Sequence, residues 1–229
     1  MIDIAHLQNS IYAPCLFEEK PTQVKIINSK EGLKDKVEHI VLTSSGKFVN
    51  ISNNILRKSR EIYNTFDRSV SFQKDCDGIC LLHRGNRNFL IFTEVKSSFS
   101  NMEEKAYFQL ITSYVRCKAF LSTLEDYIPS EFEEVALAIS YPYVDHNPIS
   151  NNNQYQESRQ STYGKYALLK KRYRHQLKAN SQLDMNIADF EINKLHLREG
   201  LINESLHLIH IPIENGSESA TIDIDNILL

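Results

Sequence analysis

The chain has 229 residues, 41% of them apolar and 24% charged, with only seven glycines and six prolines. That composition builds a core and excludes disordered and fibrous proteins. The formal net charge of −3 excludes a global basic field, so any surface that meets nucleic acid has to be local. No apolar run approaches the roughly 18 residues of a membrane span, and MIDIAHLQNSIY at the start has neither a basic n-region nor an apolar h-region. No membrane association and a cytoplasmic location are the expectation. Cys15, Cys76, Cys80 and Cys117 are scattered without zinc-site spacing, which predicts reduced thiols packed as small hydrophobes in a reducing compartment.

In chain order, residues 22–27 (TQVKII) and 39–49 (HIVLTSSGKFV) read as β-like runs separated by the turn-prone NSKEG. Ser52 is an N-cap for a helix of about four turns that carries Ile55, Leu56, Ser59, Ile62, Tyr63 and Phe66 on one stripe. Two β-rich runs, SFQKDCDGICLLH and NFLIFTEVKSSF, flank Arg84-Gly85-Asn86-Arg87, whose Gly-Asn pair suits a tight hairpin. Both faces of these strands are apolar, which predicts cover on both sides, by helices. Ser100 with Glu103 forms a capping pattern ahead of a long apolar helix from Ala106 to Leu124, and Glu134-VALAIS reads as a buried strand.

The polar stretch 147–161 reads as a loop or insertion boundary, 163–179 as a basic helix, and 205–213 (SLHLIHIPI) as a strand. The expected architecture is a single α/β domain over 1–229, with a core of about 53–140 and the stretches 1–52 and 160–229 as elaborations.

Glu94 and Lys96, two residues apart on one strand, project from the same face. A hairpin turning at 85–86 sets Asp77 opposite Glu94. Two adjacent carboxylates repel unless a cation lies between them, and such hard oxygen ligands suit Mg²⁺. A lysine in the cluster balances charge and orients a water. Asp75 shares a face with Asp77 and is the alternative acid; the Gly-Ile after Asp77 favours Asp77. The plain reading of these charges is a surface ion pair across a hairpin, and charges that interrupt strands buried on both faces argue against it.

Asp77-Gly78-Ile79 followed by Glu94-Val95-Lys96, on a hairpin between two helices, resembles the core motif of the PD-(D/E)xK nuclease superfamily. The resemblance implies a restriction-endonuclease-like αβββαβ core with a central mixed sheet flanked by helices. It implies that Asp77, Glu94 and the Val95 carbonyl ligate Mg²⁺ or Mn²⁺ while Lys96 positions the attacking water. Gln109 and Tyr114 match a Q-x4-Y helix motif of RecB-like members, in which the glutamine orients the lysine and water; a solvent-facing Gln109 and a core Tyr114 are the alternatives. Glu61 is the candidate for the further acid that members carry on the first helix. The proline of the family name is absent, because Cys76 precedes Asp77.

Residues 164–178 hold Lys165, Lys170, Lys171, Arg172, Arg174 and Lys178 with no acid. Such a helix can lie along phosphates, with Tyr163, Tyr166 and Tyr173 stacking on bases, or present a solvated or partner-binding face. His83, His207 and His210 read as strand residues. By the resemblance the expected function is phosphodiester hydrolysis, of DNA ahead of RNA, in restriction, repair or anti-phage defence, as a homodimer or beside a helicase or ATPase subunit. The alternative is a non-catalytic member of the fold that binds nucleic acid or protein within a larger complex.

Overall fold

The computed structural model describes residues 17–28, 37–57, 75–97, 106–124, 127–142, 173, 176, 182–190 and 200–229. Among the described residues there are ten strands: β1 (Phe17–Lys20), β2 (Gln23–Ile27), β3 (His39–Thr43), β4 (Lys47–Ile51), β5 (Gly78–Arg84), β6 (Arg87–Lys96), β7 (Phe132–Ser140), β8 (Gln182–Asn186), β9 (Ser205–Pro212) and β10 (Ser219–Asp223). A long helix, α1, spans Tyr107–Leu121.

Seven strands form one mixed sheet in the order β1-β4-β5-β6-β7-β9-β8. The pairs β6–β7 and β7–β9 are parallel and the others antiparallel. The protein is therefore α/β, with a large mixed sheet and few helices among the described residues. Strands β5 and β6 form the expected hairpin, running from Gly78↔Thr93 to Arg84↔Arg87. Gly85 sits at φ 58° in its two-residue turn, the left-handed conformation such turns need.

One face of the large sheet packs on α1. Leu110, Ile111, Tyr114, Val115 and Leu121 meet Leu90, Phe92, Ala136, Ala138 and Leu208 in a single apolar cluster. The other face is covered by a second sheet, in the order β10-β3-β2. Val24, Ile26, Ile40, Leu42 and Ile222 pack there against Phe48, Leu82, Phe89, Ile91, Leu137 and Ile139. Cover on both faces was expected and is present, but on this side a sheet supplies it rather than helices. Alternation on β2 explains why: Val24 and Ile26 are buried and their neighbours exposed, so a half-polar strand has an apolar edge to lay on the core. Each such aliphatic side chain contributes about 1.5–3 kcal/mol when fully buried.

The run 39–49 divides at Ser44-Ser45-Gly46 into β3 and β4, which join different sheets. A Cβ on Gly46 would lie 2.4 Å from the His83 carbonyl oxygen, so the crossing is open only to glycine. The expected helix at 52 begins as read. Ser52 Oγ accepts the Asn54 N–H at 3.3 Å, and residues 54–57 are helical with Ile55 and Leu56 buried. The rest of that helix, including Glu61, lies outside the described residues, as do Ser100 and Glu103. Strands β1, β8 and β10 were not anticipated.

Within the basic stretch only Tyr173 and Gln176 are described, both helical. Tyr173 is 1% exposed, stacks on Phe190 and donates to Asp189 Oδ2 at 2.7 Å. It is a core residue, not a platform for bases. Lys165, Lys170, Lys171, Arg172 and Arg174 lie outside the described residues. Among the described residues, no helix is long and apolar enough to cross a membrane.

Candidate active site

Alternation along β6 puts Leu90 and Phe92 toward α1 and Phe89, Ile91 and Val95 toward the second sheet. The same period carries Glu94 and Lys96 to the α1 face. They end β6 in a buried position, with Glu94 fully enclosed and Lys96 5% exposed. The Lys96 ammonium forms an ion pair with Glu94 Oε1. Glu94 Oε2 is buried and has no hydrogen-bond partner among the described residues, a costly condition for a carboxylate oxygen.

Asp77 immediately precedes β5, and the hairpin register extended by one step sets it across from Glu94. Its Oδ2 accepts the Val95 N–H at 2.9 Å. The N–H and C=O of one residue in an extended strand point to the same edge, so the Val95 carbonyl lies on the Asp77 side. The Asn53 side-chain amide donates to the Asp77 carbonyl at 3.0 Å and holds the approach to β5 from outside. Gly78 follows because a Cβ there would come within 2.3 Å of Ile26 Cδ1 in the second sheet. The Asp-Gly pair thus combines an acid on one face with a close sheet contact on the other.

Helix α1 fixes the two residues before Asp77. Gln109, Ser113 and Arg116 lie four and three positions apart, on one stripe. Gln109 Nε2 donates to the Asp75 carbonyl at 2.7 Å, Ser113 Oγ accepts the Cys76 N–H at 2.8 Å, and Arg116 Nη2 contacts Asp75 Oδ1 at 2.5 Å. Arg116 is fully buried and also donates to the carbonyls of Leu56 at 2.8 Å and Thr112 at 3.2 Å. Asp75, the alternative acid, is thus held by a guanidinium, whereas the Asp77 carboxylate faces β6. Gln109 acts on the chain leading to Asp77 through its hydrogen bond to the Asp75 backbone.

Tyr114 belongs to a different buried cluster. Its hydroxyl donates to Glu134 Oε2 at 2.5 Å, and the Asn203 amide donates to the same oxygen at 2.8 Å. Lys118 ion-pairs with Glu134 Oε1. Glu134 is the register partner of Leu90, four residues before Glu94, or about 13 Å back along the sheet. Burial and the neighbouring Glu134 push the Tyr114 phenol well above its ordinary value. This cluster clamps α1 to β7, and Tyr114 is a packing residue.

Sequence reasoning missed Arg116, Ser113 and Ser140, while His210, read as a strand residue, lies in β9. An arginine in register with Gln109 on an apolar helix was the available signal for Arg116. Ser140 Oγ and His210 Nε2 lie 3.0 Å apart on β7 and β9, and burial lowers the His210 pKa to about 4. His83 and His207 also lie in strands. Cys76, Cys80 and Cys117 are buried free thiols, pushed up to about 12 by desolvation. They are inert packing groups; Cys15 lies outside the described residues.

Two carboxylates and a main-chain carbonyl form a hard oxygen set of the kind Mg²⁺ and Mn²⁺ accept, with waters or substrate oxygens filling the other positions. The orphaned Glu94 Oε2 fits such an ion. Among the described residues, no group of three or more His, Cys, Asp or Glu side chains is arranged to hold a metal. Compared with protein-family models, curated proteins and solved structures, the chain matches none.

Proposed function

We propose that the protein is a divalent-metal-dependent nuclease of the PD-(D/E)xK kind, built on a restriction-endonuclease-like core. The observation that carries this reading is the enclosed Glu94–Lys96 pair at the end of β6, with an orphaned Glu94 oxygen beside an Asp77 tied to Val95. A structural ion pair has no use for a bare carboxylate oxygen in a dry site; a cation-binding carboxylate does.

Asp77, Glu94 and the Val95 carbonyl hold the ion, Mg²⁺ or Mn²⁺. When bound, it supplies Lewis-acid activation of a phosphodiester and a water of lowered pKa. Lys96 orients the attacking water and offsets the negative charge that builds on the phosphoryl oxygens. Asn53 and the stripe Gln109, Ser113 and Arg116 keep Asp77 at its station, which matters because small displacements of reacting groups cost large factors in rate. The substrate is nucleic acid, DNA ahead of RNA, with the basic residues 165–178 as the backbone-tracking element. Restriction, repair or anti-phage defence, as a homodimer or beside a separate helicase or ATPase, is the setting by analogy with nucleases of this kind.

The test is cleavage of single- and double-stranded DNA and RNA by wild type and Lys96→Met, in Mg²⁺, Mn²⁺ and EDTA. Cleavage by wild type that needs metal and vanishes in the variant is expected. A wild type that binds Mn²⁺ at Asp77 and Glu94 but cleaves none of the four substrates would overturn the nuclease assignment.

A further inference from the structure

Asp77 and Glu94 lie in one row across the large sheet, and the burial of that row is uneven. On one flank, Ala138 of β7 is the register partner of Glu94. On the other, β4 pairs with β5 through Ile51↔Ile79, and two further steps set Asn53 beside Asp77. The 3.0 Å bond from the Asn53 side-chain amide to the Asp77 carbonyl agrees with that placement. Val49 and Ile51 of β4 belong to the α1 cluster, so continued alternation gives Asn53 the face that carries Glu94. Ala138 and Glu94 are fully buried, Asp77 is 9% exposed and Asn53 is exposed. Cover thins toward β4, and the row opens to solvent at Asn53.

The helical turn at 54–57 stands at that opening. The Arg57 N–H donates to the Asn53 carbonyl at 3.0 Å, so Arg57 lies one turn beyond Asn53, with their Cβ atoms about 5–6 Å apart. Ile55 and Leu56 are buried, whereas Asn53, Asn54 and Arg57 are exposed. The segment 52–57 contains no acid. Lys20, Lys47 and Arg87 also reach solvent, but each is paired with a glutamate, and Arg87 sits at the far end of the hairpin from Glu94. A guanidinium presents a rigid fork of donors that matches a phosphate. Set one turn from the open end of the row, it meets a polyanionic strand whose phosphates pass on their way to Asp77 and Glu94.

We propose that the nucleic-acid backbone reaches the metal site across this opening and that Arg57 holds a phosphate of the entering strand. The inference rests on the nuclease reading above and gives its substrate a path, from the start of the helix at 52–57, past Asn53, to the Asp77–Glu94 row. Arg57 reads charge and not sequence, because a phosphate contact positions the strand without discriminating between bases.

Counterion release supplies a test that needs no cleavage. Binding of fluorescein-labelled oligodeoxythymidylate is measured by fluorescence anisotropy over a series of KCl concentrations, in Ca²⁺, which fills an oxygen site with a looser geometry than Mg²⁺; a gel confirms that the probe stays intact. Wild type is compared with Arg57→Gln and with Lys25→Gln, which removes the same charge from the outer side of β2, where residue 25 is exposed. Circular dichroism checks folding. Arg57→Gln is expected to bind roughly five- to ten-fold more weakly at low salt and to lower the slope of log affinity against log salt by about 0.7, the loss of one phosphate contact on a single strand. Lys25→Gln is expected to leave the slope unchanged, and Mn²⁺ affinity of Arg57→Gln is expected to stay within about two-fold of wild type, because an exposed charge acts weakly through solvent. A wild-type slope in Arg57→Gln, or an equal loss in both variants, would overturn the path and leave the metal site standing. A wild type that binds no probe at low salt would overturn the path and the nuclease reading together.

Discussion

The Asp77 carboxylate accepts the Val95 backbone N–H at 2.9 Å, which ties the first acid of the site to the strand that carries the other two charged residues. Asp77→Asn keeps an oxygen able to accept that bond and removes only the charge. Its melting temperature is expected to stay within a few degrees of wild type, since one neutral hydrogen bond contributes about 1 kcal/mol. Mn²⁺ affinity is expected to fall at least about ten-fold, because a carboxylate ligand is lost. Retained affinity, by titration calorimetry, would remove Asp77 from the ligand set.

Arg116 serves Asp75 and two backbone carbonyls while fully enclosed. Arg116→Met strands Asp75 without its cation and is expected to cost about 3–5 kcal/mol, the usual result of breaking a buried pair from one side. Urea unfolding checks this. A loss under about 1 kcal/mol would mean that the clamp on residues 75–76 is incidental.

Lys118 and Glu134 form a second enclosed pair, and Tyr114 and Asn203 also bond to Glu134. Lys118→Met alone is expected to destabilise by about 3–5 kcal/mol, and adding Glu134→Gln is expected to recover more than half of that. Because the cluster lies away from Glu94, Mn²⁺ binding by the double variant is expected to match wild type. Additive losses in the double-mutant cycle would contradict the pairing.

His210 gives a pH dependence with a definite sign. Its folded-state pKa is lowered from 6.5 to about 4 by burial, so between those values the unfolded chain binds a proton that the folded chain does not. Stability therefore falls as pH drops from about 6.5 toward 4, by at most about 3 kcal/mol from this residue. His210→Gln is expected to flatten that part of the profile, as measured by urea midpoints from pH 4.5 to 7.5. An unchanged slope would mean that other groups set the acid limb.

The hairpin was legible because its information is local: a Gly-Asn turn fixes the register, and alternation fixes which face carries Glu94 and Lys96. The helix at Tyr107–Leu121 was legible from its apolar stripe. The second sheet was not, because the pairing of β3 with β10 joins residues near opposite ends of the chain and leaves no periodic trace in either. The division of residues 39–49 escaped notice for a related reason: β propensity is continuous through Thr43-Ser44-Ser45, and only the close approach of Gly46 to His83 reveals the crossing. Within the site, the acids and the lysine stood out as charges in apolar strands. Arg116 did not, because a buried arginine looks the same in sequence as an exposed one. Ser140 and His210 lie on strands far apart in sequence, and only the parallel register unites them.

The placement of β10 also bears on how the chain matures during synthesis. Strand β3 lies between β2 and β10 in the smaller sheet, and β10 is made after the other nine described strands. Until it arrives, Ile40 and Leu42 lack one flank, and the sheet that shields Phe48, Leu82, Phe89 and Ile91 is incomplete. A nascent chain carrying the hairpin and α1 would thus show a sticky half-covered face to its surroundings, with an open strand edge beside it. Closing that face is a non-local event, so synthesis of β10 completes the smaller sheet.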